Sequence, residues 1–224
     1  SLLPLAIGLG VVGAAFRLAA VPMHFYAPDV YEGTSPGNAA LLSTLPKVAG
    51  IVVLARLLAL VGPAASPDLL WRMVVVLAAV TMTVGNVMAL WQTNLRRLLA
   101  CSSIAHAGYL LVGIAAAAAP SLAPRLLTTG GLSATLFYLA TYAIATIGVF
   151  GALAYLGHRW PEWTGGSGPR PPREEITAVD DLDGLSGTNP VAAFAIAVFL
   201  LSLAGIPPLP GFWGKLALAL SALE

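Results

Sequence analysis

The 224-residue sequence is 58% hydrophobic and 9% charged, with a mean hydropathy of +0.86 and a formal charge of +1. Soluble domains carry about 25% charged residues, so this composition excludes a disordered chain, an ordinary cytosolic enzyme and a nucleic-acid binder acting through a basic surface. It indicates an all-α polytopic membrane protein. The single cysteine, Cys101, rules out an intrachain disulfide and a multi-cysteine metal site, and in its apolar stretch it reads as a small buried filler. The sequence has no initiator methionine and opens and closes inside apolar runs, so a single transmembrane-bundle fragment, residues 1–224 of a longer protein, is expected.

A bilayer core is crossed by a helix of about 20 apolar residues. Six stretches meet or approach that length, at 2–23, 36–61, 67–91, 103–119, 131–157 and 190–223, and six transmembrane helices are expected there. Pro22 and Pro28 end the first, and Arg17 lies within it, five residues before Pro22. Pro46 interrupts the second, directly before Lys47. The third offers Thr83 and Asn86. In the fourth, Ser102, His106 and Tyr109 step by four and three, and in the fifth Tyr138, Tyr142 and Thr146 step by four, which places each set on one helix face. The sixth is interrupted by Pro207, Pro208 and Pro210 with Gly205, Gly211 and Gly214, and Lys215 follows. Proline removes an N–H and clashes with the preceding turn. Broken helices in a membrane bundle point to an ion or substrate path, although Gly and Pro are also commoner in membrane helices for packing alone.

The connections 23–35, 92–102 and 158–189 fall on one side and carry Arg96, Arg97, Arg159, Arg170 and Arg173. The other side has Arg125, with Arg56 and Arg72 near helix ends. The positive-inside rule makes the first side, with the polar 158–189 loop, cytoplasmic. His24, with Asp29 and Glu32 in the first of these connections, reads as a residue that orders the loop.

Arg17, Lys47 and Lys215 lie where lipid would surround them, at about 2.5–3.5 kcal/mol each on the insertion scale. Snorkelling to the interface and a functional role weigh equally for Arg17. Lys47 is far from both interfaces, and Lys215 follows a break whose freed carbonyls and water could hold an ammonium, so both read as functional. A desolvated lysine can release its proton, whereas arginine stays charged. His106, flanked by hydroxyls, can accept a proton at one nitrogen and release it from the other. The predicted spans hold no internal Asp or Glu, so a carboxylate partner for these bases would come from other sequence. No phosphate loop, paired nucleophile and base, metal-ligand cluster or haem pattern is present, and no redox centre is expected in this chain.

Four stretches together resemble a known family: FRLAAVPMHFYAPDVYEG (16–33), LPKVAGI (45–51), QTNLRRLLACSSIAHAGYLLVG (92–113) and SLAGIPPLPGFWGK (202–215). They resemble subunit N of the proton-pumping NADH:quinone oxidoreductase, respiratory complex I, and PDVYEG resembles subunit N more than the paralogous subunits M and L or the multisubunit sodium/proton antiporters. The resemblance implies a bundle of about 14 spans built on inverted repeats, of which this chain matches the seventh to twelfth. It also implies proton translocation driven by electron transfer from NADH to quinone in other subunits, in a bacterial inner membrane. Lys47 and Lys215 fall on the lysines of the central proton path and His106 on the histidine between them. Arg17 stands where the family usually has a lysine paired with a glutamate of an earlier helix, so it is expected to act as a fixed charge that biases Lys47. The implied partners are the other membrane subunits and the bilayer, with no nucleic acid. NADH, FMN, iron–sulfur clusters and quinone are implied in partner subunits and no cofactor in this chain. A stand-alone cation/proton antiporter and a non-pumping structural subunit are the alternatives.

Overall fold

A computed structural model describes residues 3–61, 67–119, 129–158 and 177–223. The helices are α1 (Leu3–Leu18), α2 (Ala27–Gly33), α3 (Pro36–Val61), α4 (Pro67–Ala89), α5 (Leu95–Ala117), α6 (Thr129–His158), α7 (Leu185–Thr188), α8 (Pro190–Ala204) and α9 (Pro210–Leu223). Among the described residues no strand forms, and four segments are long and apolar enough to cross a membrane: Pro36–Leu60, Trp71–Leu90, Leu95–Ala117 and Gly130–Gly157. The middle four expected spans are therefore continuous helices. The first is a shorter helix that ends at Leu18, where Ala19 turns the chain with a left-handed φ of 54°. The sixth is two half-helices, α8 and α9, separated at Gly205–Leu209.

Two readings of the sequence need correction. Pro46 does not interrupt the second span, because α3 runs through it unbroken. The fourth span begins at Leu95 and not near residue 103, which moves Arg96 and Arg97 from a loop into the first turn of α5. The cause is a cap and a set of counter-charges. Asn94 Oδ1 accepts from the backbone N–H groups of Arg96 (2.9 Å) and Arg97 (3.2 Å), satisfying donors that a helix start leaves open. The Arg97 guanidinium pairs with Glu32 at 2.7 Å and Asp29 at 3.0 Å. Arg96 donates to the carbonyls of Glu32 (3.2 Å) and Thr34 (3.0 Å).

α5 is the axis of the bundle, and its neighbours approach it closely through small residues. A Cβ on Gly85 of α4 would lie 2.6 Å from Ala105 N, and one on Gly108 of α5 would lie 2.8 Å from Met82 N, so at both points backbone packs on backbone. Small residues at helix crossings are how helices associate in lipid, where burial of apolar area supplies little drive. The interior is filled by Leu18, Ile51, Leu54, Leu110, Leu111, Ile114 and Leu218, and a second cluster gathers around Tyr31, Leu99, Phe150 and Ile196. Outward faces present large apolar side chains such as Leu60, Val76, Ile144 and Phe194, which suits hydrocarbon and not water.

One end of the bundle is tied together by polar contacts. Leu95 N–H donates to Thr177 O at 2.8 Å and Val179 N–H to Thr93 O at 3.1 Å, an isolated antiparallel bridge across Asn94 and Ala178. Asp181 accepts from the N–H groups of Thr177 (2.9 Å) and Ala178 (2.8 Å), which hold its carboxyl below the usual carboxylate range. With Glu32 accepting from Asn94 Nδ2 at 3.1 Å, residues 23–35, 92–94 and 177–189 share this end, as the alternation of spans requires. Arg125, Arg159, Arg170 and Arg173 lie outside the described residues.

Candidate functional site

Polar side chains that α3, α5, α6 and α9 carry inward meet in a row through the bundle. Lys47 on α3 is 2% exposed, and its Nζ donates to Ser103 Oγ on α5 at 2.6 Å. Tyr142 of α6 donates to the same oxygen at 3.0 Å, and the hydroxyl of Tyr31, on α2, lies 3.3 Å from it. The Tyr142 hydroxyl also reaches Ser43 O at 3.4 Å, in the turn that precedes Pro46. The ammonium of Lys47 stands 5.6 Å from the centroid of the Tyr142 ring, within the range of a cation–π attraction.

His106 follows Ser103 by three residues on α5 and is 5% exposed. Its Nδ1 is hydrogen-bonded to the hydroxyl of Tyr138. The rings of Tyr142, Tyr138 and Tyr109 surround it with centroids at 5.0, 5.9 and 6.0 Å. Beyond Tyr109 comes Lys215, whose Nζ lies 5.0 Å from that ring's centroid and donates to Leu203 O (2.9 Å) and Ala204 O (3.0 Å). The helix break supplies these acceptors. Gly205, at φ 85°, turns the chain and gives its N–H to Leu201 and Ser202 carbonyls, so the carbonyls of Leu203 and Ala204 face the ammonium at the negative end of the α8 dipole. Gly211 permits the return, since a Cβ there would stand 1.8 Å from Ser202 O.

Space for water adjoins both sides of His106. A gap of about 10 Å³ lies among His106, Tyr138, Thr141, Tyr142, Ser202 and Gly211, about the room of one water. A larger, half-open pocket of about 370 Å³ is bordered by Asn86, Ser102, His106, Tyr109 and Lys215 with several leucines, room for several waters. The arrangement is two lysine amino groups and an imidazole linked through hydroxyls and aromatic rings, with space for water beside the imidazole.

Lys47, His106 and Lys215 are thus brought together, and Arg17 is not. Arg17 is exposed near the end of α1, its Cβ packing close to Gly50, one turn beyond Lys47 on α3. It neighbours Tyr26, whose phenol is raised above its ordinary value by burial, an effect that the Arg17 charge partly offsets. Tyr138, Tyr142 and Thr146 are buried on α6 and Cys101 is buried on α5, as their spacing and surroundings predict. Ser102 borders the larger cavity, while Ser103, which the four-residue step passes over, meets Lys47. On α4, Thr83 is exposed and bonds its own helix at Ala79 O, whereas Thr81 is buried and accepts from Val21 N–H. His24 has its Nδ1 buried without a hydrogen bond, while its carbonyl accepts from Ala27 N–H at 3.1 Å within the 23–35 connection. The side-chain contacts that tie this connection to α5 come from Asp29, Glu32, Asn94 and the two arginines. Tyr31 and Ser103 carry no signal in the sequence beyond their polarity, because their roles depend on how α2 and α5 dock.

The family described as NADH:quinone oxidoreductase/Mrp antiporter, TM, matches residues 2–224. The chain is 41% identical to NADH-quinone oxidoreductase subunit N 2 of Acidobacterium capsulatum, an alignment that covers 100% of this chain and 42% of that protein. It superimposes on a chain of respiratory complex I from Thermus thermophilus, solved with bound aureothin, with a TM-score of 0.74 and 33% identity over 98% of this chain and 42% of that one. A chain of the Mrp complex from a Dietzia species gives a TM-score of 0.78 and 30% identity over 98% of this chain and 36% of that one. The chain spans about two fifths of the length of the curated relatives it matches. With that family matched over residues 2–224, the chain belongs to the NADH:quinone oxidoreductase/Mrp antiporter transmembrane family.

Proposed function

We propose that this chain is part of a subunit N of NADH:quinone oxidoreductase and carries protons through the row Lys47, His106 and Lys215. The observation that supports the reading is the run of hydroxyls and rings that joins the three: Ser103 and Tyr142 between Lys47 and His106, then Tyr138 and Tyr109 between His106 and Lys215. Lys47 and Lys215 hold protons, His106 passes them, and water in the adjoining cavities completes the connections. Arg17, which stays charged, sets a fixed field beside Lys47. Electron transfer from NADH to quinone takes place in other subunits, which hold the FMN and iron–sulfur clusters. A shift of charge there changes the field at one end of the row, and a change of about 1.4 kcal/mol alters a proton affinity tenfold. The partners are the neighbouring membrane subunits within a bacterial inner membrane, with the Glu32–Arg97 end of the bundle facing the cytoplasm.

The test is NADH-driven proton uptake in inverted membrane vesicles that carry the full-length protein. Lys47→Met is expected to abolish uptake per assembled complex, and Arg17→Lys to preserve it. Uptake indifferent to Lys47→Met would make the chain a scaffold in a complex that pumps elsewhere. The likeness to the Mrp chain favours one second reading, a cation/proton antiporter, which would exchange ions across the vesicle membrane without NADH.

A further inference from the structure

We infer that Ser103 is a positioning residue that holds Lys47 in the row in both of its protonation states, an inference that rests on the proton-path reading above. Lys47 Nζ and Ser103 Oγ are 2.6 Å apart and both residues are buried, at 2% and 3% exposure. A serine hydroxyl has one hydrogen to give and two lone pairs to receive with. With Lys47 charged, the ammonium takes one lone pair and Tyr142 O–H, at 3.0 Å, takes the other. The hydrogen of Ser103 is then free to turn to Tyr31 Oη at 3.3 Å.

With Lys47 neutral, the amine offers a lone pair in the same place. Ser103 rotates its hydrogen onto it, and Tyr31 turns its own hydrogen to the lone pair that Lys47 has vacated. Every hydrogen bond is kept, and only hydroxyl rotations are needed. A carboxylate in this position would favour the charged lysine and, while ionised, could give nothing to the neutral amine.

The surrounding structure keeps this hydroxyl in place. Tyr31 is 4% exposed and packs edge-on against Phe150, and the next residue, Glu32, is held by Asn94 and Arg97. Ser103 and His106 are three apart on α5 and so share a face, which makes one rigid helix set the distance from the lysine's partner to the imidazole.

The experiment uses the full-length protein in the assembled complex, with proton uptake in inverted vesicles measured across pH and normalised to assembled complex on native gels. Ser103→Ala is expected to lower uptake by roughly ten- to a hundredfold, the range for a displacement of about 1 Å at a reacting group, and to displace its pH profile. Ser103→Thr, which keeps the hydroxyl, is expected to retain the wild-type profile. A purely structural role would lower the amount of complex without moving the profile. Should Ser103→Ala fail to assemble, Tyr31→Phe, whose hydroxyl meets the row at Ser103, is compared instead: a displaced profile supports the inference and a wild-type profile overturns it. Wild-type rate and profile in Ser103→Ala, with uptake abolished by Lys47→Met, would overturn the role of Ser103 alone. Normal uptake in Lys47→Met would overturn the proton path and this inference with it.

Discussion

Substituting Gly85 by alanine tests the backbone crossing that positions α5. The added Cβ would meet Ala105 N at 2.6 Å, Ala105 Cα at 3.0 Å and Cys101 O at 3.1 Å, all backbone atoms that no rotamer change can move aside. Carbon contacts are comfortable at about 3.5–4.0 Å, so α4 and α5 must separate by about 1 Å. Overpacking of this kind costs about 1–3 kcal/mol, and alanine's better helix propensity returns at most about 1 kcal/mol. With the full return the net loss is about 0–2 kcal/mol, and relative to a glycine-to-alanine change without a clash it is about 1–3 kcal/mol. Because α5 carries Ser103 and His106, the same displacement reaches the proton row, where about 1 Å is worth as much as a hundredfold in rate. Thermal inactivation of NADH-driven uptake in vesicles reads both effects. Gly151→Ala on α6, where a Cβ meets nothing within 4 Å, is the control and is expected to keep wild-type uptake and to gain the helix-propensity difference, up to about 1 kcal/mol, without any clash. If Gly85→Ala matched the control in heat stability and in uptake, close backbone packing would not be what positions α5.

Asn94→Ala removes the acceptor for two N–H groups at the start of α5, and a lost cap costs about 1 kcal/mol. Amide exchange should rise in the first turn of α5 and not at Leu110 or Leu111, and unchanged exchange at Arg96 and Arg97 would refute the capping role. The Asp181 carboxyl is held below its usual range by the N–H groups of Thr177 and Ala178. Its contribution is therefore complete above the usual carboxylate range and is lost as pH falls through the depressed folded-state value. Protection of those two amides should decay on acidification in the wild type and be low at every pH in Asp181→Ala. A wild-type protection independent of pH would refute the link.

How much of this was legible depended on how costly each group is in lipid. Lys47, His106 and Lys215 could be picked out because a charged or titratable side chain deep in an apolar run demands a compensation. The bundle compensates both lysines with neutral oxygens, Ser103 Oγ and the carbonyls of Leu203 and Ala204. Ser103 was hidden because steps of three and four both share a helix face, and only the docking of α3 and α6 on α5 selects it over Ser102. The start of α5 was misplaced because Arg96 and Arg97 look like loop residues until Asp29 and Glu32, more than sixty positions away in sequence, fold onto them. Arg17 was visible as a charge, but its surroundings in this chain are the Tyr26 ring and the edge of α3 and not the buried row. The proline-rich sixth stretch is broken as its composition predicts, whereas the single Pro46 lies inside a helix of 26 residues that continues through it.

The two half-helices have a consequence for membrane voltage. α8 has 15 residues, about 22 Å at 1.5 Å per residue, so the break, with Lys215 Nζ bound at it, lies about four turns from the start of that helix at Pro190. A charge carried across a full drop of 100 mV changes in energy by about 2.3 kcal/mol, and one carried halfway by about 1.2 kcal/mol, which alters an occupancy about eightfold. A proton held at Lys215, as the proposed path requires, would then feel a voltage across the bilayer directly, a coupling that an unbroken helix with its charges at the two surfaces would not provide.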